Sequence, residues 1–175
     1  MKKSLLTLFL LLTAVVSRAY DFEVDGIRYR ITSAKELTVG VTHKGYGMDG
    51  YSGSVVIPES VTCNGVTYSV TSVVEGAFDG CSSLTSVIIP NSVTAIGEMT
   101  FLNCSSLERI VVAAANSVYD SRDNSNAIIE TSSNKLISGC KNTVIPNSVK
   151  KIGEWAFCGC RGLTSITIPN SVTRL

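Results

Sequence analysis

A stretch of 23 residues, from Leu84 to Ser106, is repeated along this chain and constrains its fold more than any other feature. Cys81-Ser-Ser-Leu84 and Cys104-Ser-Ser-Leu107 lie 23 residues apart, and so do Ile145-Pro-Asn-Ser-Val149 and Ile168-Pro-Asn-Ser-Val172. Self-similarity at a fixed period of this size is typical of stacked coils, each burying its apolar face against its neighbours. The period therefore predicts a mainly β solenoid.

The pattern inside one repeat predicts which side chains form the core. Pro90 has no amide proton and should end the first strand. Gly97 should supply a backbone conformation that other residues avoid, and 98–102 should form a short helical turn. Seven side chains are predicted to face inward: Leu84, Val87, Ile89, Val93, Ile96, Phe101 and Cys104.

The repeat is interrupted by hairpin signals. Asp25-Gly26 between two alternating apolar runs, and Asn64-Gly65 further on, are strong signals for two-residue hairpin turns. The sequence therefore predicts an N-terminal β-hairpin cap over residues 20–54 and a hairpin insertion over about 61–69. A third hairpin is predicted inside an irregular repeat, 113–143.

The repeats are predicted to occupy residues 55–175. A last strand is expected over 163–169, and the sequence stops at Leu175, where the next Ile-Gly-Glu would follow. The expectation from this pattern alone is a C-terminal end without a cap, with apolar surface exposed.

The N-terminus reads as an export signal. Lys2 and Lys3 precede an apolar run that is short for a membrane span, and the small residues Ser17 and Ala19 suit a signal peptidase. We expect a signal peptide over residues 1–19, cleaved after Ala19, and a secreted or cell-surface protein; a retained membrane anchor is the alternative that the short run disfavours.

Net charge argues against two classes of partner. Without Lys2, Lys3 and Arg18, the 15 basic residues become 12 against 14 acidic ones. The mature chain is therefore close to −2 and contains no basic block. This balance disfavours nucleic acid and anionic membranes as partners.

Six cysteines in an exported chain invite a disulfide framework. Cys81, Cys104 and Cys160 occupy one repeat position, however, and a repeated position usually serves packing, so buried free thiols are favoured over disulfides. Cys158-Gly-Cys160 resembles half a metal clip. The chain has a single histidine and no second ligand pair, so no zinc site is expected.

Two further motifs are weak. Gly45-Tyr-Gly-Met-Asp-Gly50 matches the dinucleotide fingerprint in form, but the residues that follow read as turn and strand rather than the required helix. The segment 120–126 is rich in Asp and Asn, which usually serve turns. As a calcium loop it lacks the central Gly and the terminal Glu, and Arg122 would repel the ion. No cofactor is predicted.

The pattern Leu-x-x-Val/Ile-x-Ile-Pro-Asn-Ser-Val-x-x-Ile-Gly-Glu-x-x-Phe-x-x-Cys resembles the BspA-type leucine-rich repeat of bacterial surface proteins. The resemblance covers about residues 55–175, and the segments 22–31 and 119–124 look like ones that accompany such repeats. It implies a leucine-rich-repeat solenoid, to which the residues of this chain add short helical turns and hairpin insertions. It also implies a surface or secreted location and a role in adhesion, including binding to host matrix proteins. No catalytic activity accompanies it.

The first functional hypothesis is a binding module that presents a repeated strand surface to an extracellular protein or glycan. The alternative is a structural fragment of a longer repeat protein with no independent activity. An enzyme is disfavoured because no nucleophile motif, carboxylate pair or metal cluster is present. The outward positions predicted to contact a partner are Thr85, Ser86, Ile88, Glu108, Arg109, Val111, Thr164 and Thr167.

Overall fold

The structure is a computed structural model that describes residues 20–45 and 47–174. The predicted signal peptide and Leu175 lie outside the described residues. The chain is mainly β, with short 3₁₀ turns at Gly47–Asp49 and Arg122–Asn124. Its strands are β1 (Phe22–Val24), β2 (Ile27–Ser33), β3 (Thr38–Val41), β4 (Gly53–Val56), β5 (Ser60–Cys63), β6 (Val66–Val73), β7 (Leu84–Ile89), β8 (Ala95–Ile96), β9 (Arg109–Val112), β10 (Tyr119–Asp120), β11 (Ala127–Glu130), β12 (Lys135–Gly139) and β13 (Lys151–Ile152).

The N-terminal hairpin is confirmed. β1 and β2 pair antiparallel, and Val24 faces Ile27 across a turn in which Asp25 and Gly26 have φ of 49° and 77°. Positive φ at both positions is the geometry whose twist matches a two-residue hairpin. β2 then pairs antiparallel with β3, which itself joins the parallel strands that follow.

Equivalent strands of successive repeats pair in parallel, and the repeat period sets their register. In the sheet β4–β7–β9, Ser86 pairs with Arg109, 23 residues further on. Ser72 of β6 pairs with Ala95 of β8 at the same spacing. A strand of one repeat therefore lies beside the equivalent strand of the next repeat, as the period predicted.

The two inserted hairpins are also confirmed. β5 and β6 pair antiparallel across Asn64 and Gly65, with φ of 50° and 78°. β11 and β12 pair antiparallel within the four-stranded sheet β10–β11–β12–β13. This hairpin makes the irregular repeat a separate sheet, joined to the last repeat by the parallel pairing of β12 with β13.

The core is a column of inward side chains. Phe78 stacks on Phe101 with ring centroids 5.1 Å apart, and Tyr51 packs against the other side of Phe78 at 4.8 Å. Of the seven predicted inward residues, six are buried and Ile96 is partly buried. β7 ends at Ile89, directly before Pro90, as expected.

Three local predictions were wrong. The segment 98–102 forms hydrogen-bonded turns instead of a helical turn, because Met99 adopts φ of 51° and so interrupts any helix. Gly97 is needed for a different reason than predicted. A Cβ there would lie 2.3 Å from the backbone nitrogen of Glu75, so close approach, and not a left-handed φ, excludes a side chain.

The third wrong prediction is the last strand. Residues 163–169 form no strand. In the regular repeat Cys81 lies nine residues before Pro90, whereas Cys140 lies only six before Pro146, so the neighbouring segment is three residues too short. This neighbouring segment bonds elsewhere, since Val144 N donates to Ser125 O at 3.0 Å.

Within the described part of the chain, no helix is long and apolar enough to cross a membrane.

Candidate functional site

The outward face of the sheet β4–β7–β9 brings together the predicted contact residues of two repeats. The strand register aligns Val56, Ile88 and Val111 in one row across the three strands. It aligns Ser54, Ser86 and Arg109 in a second row. We call these six residues the outer face. Val56 is 59% exposed, so the apolar row is accessible at its β4 end.

Ser86 differs from the expectation. It is only partly exposed, and its hydroxyl oxygen is buried without a hydrogen-bond partner among the described atoms. A buried hydroxyl does not reach a partner on the surface. Within the second row, the accessible side chains are therefore those of Ser54 and Arg109, both exposed.

Thr85 and Glu108 lie beside the outer face at the entry to β7 and β9. Both are exposed, and Glu108 N donates to Thr85 O at 2.9 Å. The carboxylate of Glu108 pairs with Lys141 Nζ at 2.7 Å. With Arg109 next to this pair, the margin of the face carries charges of both signs, and a surface pair of this kind adds little to stability.

Thr164 and Thr167 are not on this face. Both are exposed, but they lie in the segment 163–169, which pairs with none of the three strands. The structure thus groups six of the eight predicted contact residues and separates these two.

The segments considered as ligand sites have structural roles. The glycine-rich segment leads into β4 rather than a helix. Asp120 accepts two hydrogen bonds from the Arg122 guanidinium, at 2.7 and 2.5 Å. Burial alone would raise the pKa of Asp120, but the hydrogen bonds from Arg122 lower it below the usual value. Among the described residues, no group of three His, Cys, Asp or Glu side chains is placed to hold a metal ion.

The repeated cysteines are packing groups. Cys104 Sγ donates to Phe78 O at 3.0 Å, and Cys81 Sγ accepts from Tyr51 N at 3.3 Å. Burial raises the pKa of both thiols, and it raises the pKa of Cys160 to about 11. The thiolate is the reactive form of cysteine, so burial makes these thiols less reactive.

Residues 127–175 match the family model described as BspA type Leucine rich repeat region (6 copies). This part of the chain carries BspA-type leucine-rich repeats. The match covers the hairpin of the irregular repeat and the repeats after it. A comparison with curated proteins gave no match.

Solved structures agree with this assignment. A leucine-rich repeat protein from Bacteroides ovatus ATCC 8483 is 31% identical over 89% of this chain and 37% of its own, with a TM-score of 0.57. One from Bacteroides capillosus ATCC 29799 is 27% identical over 86% of this chain and 83% of its own, with a TM-score of 0.50. One from Eubacterium ventriosum ATCC 27560, 23% identical over 70% of this chain and 31% of its own with a TM-score of 0.55, shows a likeness of fold alone. The chain spans about a third of the length of the Bacteroides ovatus and Eubacterium ventriosum proteins.

One feature of the repeats was not predicted. A cavity of about 310 Å³ lies between the turn that contains Glu98 and Met99 and the turn that contains Glu154 and Trp155. The sequence spacing indicates this cavity, because one repeat is shorter than the others. Ile96 lies eight residues before Cys104, whereas Leu136 lies only four before Cys140. Leu136 pairs with Ile152, which places it at the position of Ile96 in its own repeat.

Proposed function

We propose that the chain is an exported module whose repeats form a solenoid and bind an extracellular protein or glycan through the outer face. The observation that carries the proposal is the alignment of Val56, Ile88 and Val111 across three parallel strands, with Arg109 in the adjacent row. Extended surfaces built from repeats favour partner binding as a class. Leucine-rich repeats bind proteins in general, and no catalytic role is part of the proposal.

Adhesion to host matrix proteins is the specific form of this function that we propose. It follows from the resemblance to repeats of bacterial surface proteins and from the predicted signal peptide over residues 1–19. Cleavage after Ala19 would leave a secreted or cell-surface protein. Partners other than nucleic acid and anionic membranes suit the charge balance of the mature chain. Thr164 and Thr167 stay in the proposal as a separate patch.

The test is binding of the purified protein to immobilised extracellular-matrix proteins. Replacing Val56 and Arg109 with glutamate should reduce affinity about tenfold or more, because each change places a carboxylate on the face. The matched control replaces Val66 and Lys35, exposed residues on the inserted hairpin and on the turn before β3, with glutamate. Equal binding by the two variants would exclude the outer face.

The second candidate is a structural part of a longer repeat protein with no independent activity. The observation that favours it is that the Bacteroides ovatus and Eubacterium ventriosum proteins are about three times as long as the part this chain matches. If the unmodified protein binds none of the matrix proteins at micromolar concentration, this candidate replaces the first.

A further inference from the structure

The cavity between the two turns results from a shortened repeat. In the regular repeats, the Glu-x-x-Phe turn of one repeat lies next to the turn of the following repeat, where Phe78 N donates to Thr100 O at 2.9 Å. The irregular repeat is four residues shorter between Leu136 and Cys140 than the regular one is between Ile96 and Cys104. It has no such turn, and the space that the turn would fill is open.

Several apolar side chains line this cavity, together with polar and charged ones. Phe101, the last ring of the aromatic stack, and Ile137 line it, and Met99 and Trp155 lie on opposite walls. Trp155 is 52% exposed and adopts φ of 61°. Met99 and Trp155 occupy the same position in their repeats, three residues after Ile96 and Ile152, so the cavity lies between equivalent turns.

The rim of the cavity carries excess negative charge. Glu98 and Glu154 occupy equivalent positions on the two turns, and both are exposed. Glu130 and Lys135 also line the cavity, but they are cross-strand partners and offset each other. Among the described residues, no ion pair involves the carboxylate of Glu98 or of Glu154.

We propose that this cavity binds an arginine side chain of the partner protein. The chemistry of the walls matches each part of that side chain. The aliphatic stem suits Met99 and Phe101, the planar guanidinium suits the exposed face of the Trp155 indole, and its positive charge suits Glu98 and Glu154. The inference rests on the proposed function and adds to it a chemical class, namely a partner segment with an exposed arginine.

Trp155 is the only tryptophan in the chain, so its fluorescence reports on the cavity directly. The probe is the peptide acetyl-Gly-Arg-Gly-amide, titrated into the full protein at low ionic strength. A peptide of the same shape with citrulline in place of arginine serves as the neutral control. We expect a saturable change with the arginine peptide and at least tenfold weaker binding of the citrulline peptide. Binding of the arginine peptide should also weaken at 0.5 M salt because its charges are screened.

The decisive variant replaces Glu98 and Glu154 with glutamine. It should weaken binding of the arginine peptide about tenfold or more, while the charge-matched control, Glu36→Gln with Asp49→Asn, binds like the unmodified protein. Thermal unfolding of both variants checks that the fold is retained. A lack of any saturable response, an equal response to citrulline, or equal binding by the two variants would overturn the inference.

This outcome is separable from a failure of the proposed function. The Val56 and Arg109 variant leaves the cavity unchanged and should bind the arginine peptide normally. If matrix binding is lost in that variant while the peptide never binds, the cavity inference fails alone. If the peptide binds as expected and the outer-face variant binds matrix proteins normally, the outer face fails and the cavity remains.

Discussion

The regular repeats and the irregular repeat contain the same kinds of residue but form different structures. In the regular part, residues 23 apart pair in parallel, and Phe78 and Phe101 stack with their planes only 6° apart. In the irregular part, the hairpin β11–β12 replaces the turn, and Asp120, which pairs with β11, forms an ion pair with Arg122. The regular repeats form a continuous core, whereas the interrupted repeat forms a surface that the other repeats do not have. The outer face therefore lies on the regular repeats, and the cavity lies where the repeat is broken.

The largest expected effect tests whether the aromatic stack stabilises the regular part more than the irregular one. Phe78 is fully buried between Tyr51 and Phe101, so Phe78→Ala should cost ~3–5 kcal/mol of unfolding free energy. Phe157, in the repeat after the break, is only partly buried, and Phe157→Ala should cost ~1–2 kcal/mol. Chemical denaturation measures both. Equal losses would contradict a core that is concentrated in the regular repeats.

A second comparison concerns the glycines before the two turns. A Cβ at Gly97 would lie 2.3 Å from the backbone nitrogen of Glu75, whereas one at Gly153 would lie 3.0 Å from Leu136 O. Gly97→Ala should therefore destabilise the protein by ~2–3 kcal/mol and Gly153→Ala by ~1 kcal/mol. Thermal unfolding of the two variants gives the ranking. If Gly153→Ala proves the more costly change, the irregular part is packed more tightly than its backbone distances indicate.

The parts of the fold that could be predicted depend on local chemistry or on the period. Asp25-Gly26 and Asn64-Gly65 specify their turns because the turn geometry requires positive φ at two adjacent positions. The parallel register follows from the spacing of equivalent strands, so the pairing of Ser86 with Arg109 needs no further information. The grouping of Ile88 with Val111 on the outer face follows in the same way.

The parts that could not be predicted depend on how repeats fit against one another. The segment 163–169 has a good strand pattern, but pairing requires a neighbour, and the short segment before Pro146 does not provide one. The burial of the Ser86 hydroxyl depends on neighbouring strands in the same way. The cavity between Met99 and Trp155 arises from a four-residue difference in spacing, which becomes visible only once Leu136 is known to pair with Ile152.

A third prediction concerns the polar network of the irregular repeat and its pH dependence. The hydrogen bonds from Arg122 lower the pKa of Asp120 below the usual value in spite of its burial. A carboxyl group with a lowered pKa in the folded state stabilises the fold above its unfolded pKa and loses that contribution as the pH falls through the folded value. Asp120→Asn should therefore cost ~1 kcal/mol at pH 7 and progressively less as the pH falls below the usual carboxyl range.

Unfolding free energies of the unmodified protein and Asp120→Asn, measured from pH 7 to pH 2.5, give this difference. Asp123→Asn is the control, because Asp123 lies in the same loop and is exposed. A difference between Asp120→Asn and the unmodified protein that stays constant over the whole range would show that the loss is steric and does not arise from the charge of Asp120.

The smallest expected effect concerns the left-handed position that both parts share. Gly76, Met99 and Trp155 occupy equivalent positions in three repeats, with φ of 62°, 51° and 61°. A non-glycine residue costs ~1–2 kcal/mol there, and glycine costs ~0.5–1 kcal/mol in extra freedom of the unfolded chain, so Met99→Gly should stabilise the protein by ~0.5 kcal/mol. The control for this prediction is Met48→Gly.

Met48 is 92% exposed and is not among the residues with positive φ, so the change to glycine there should destabilise the protein slightly. A loss of stability in Met99→Gly as large as in Met48→Gly would mean that packing of the Met99 side chain against the cavity outweighs the strain of its backbone.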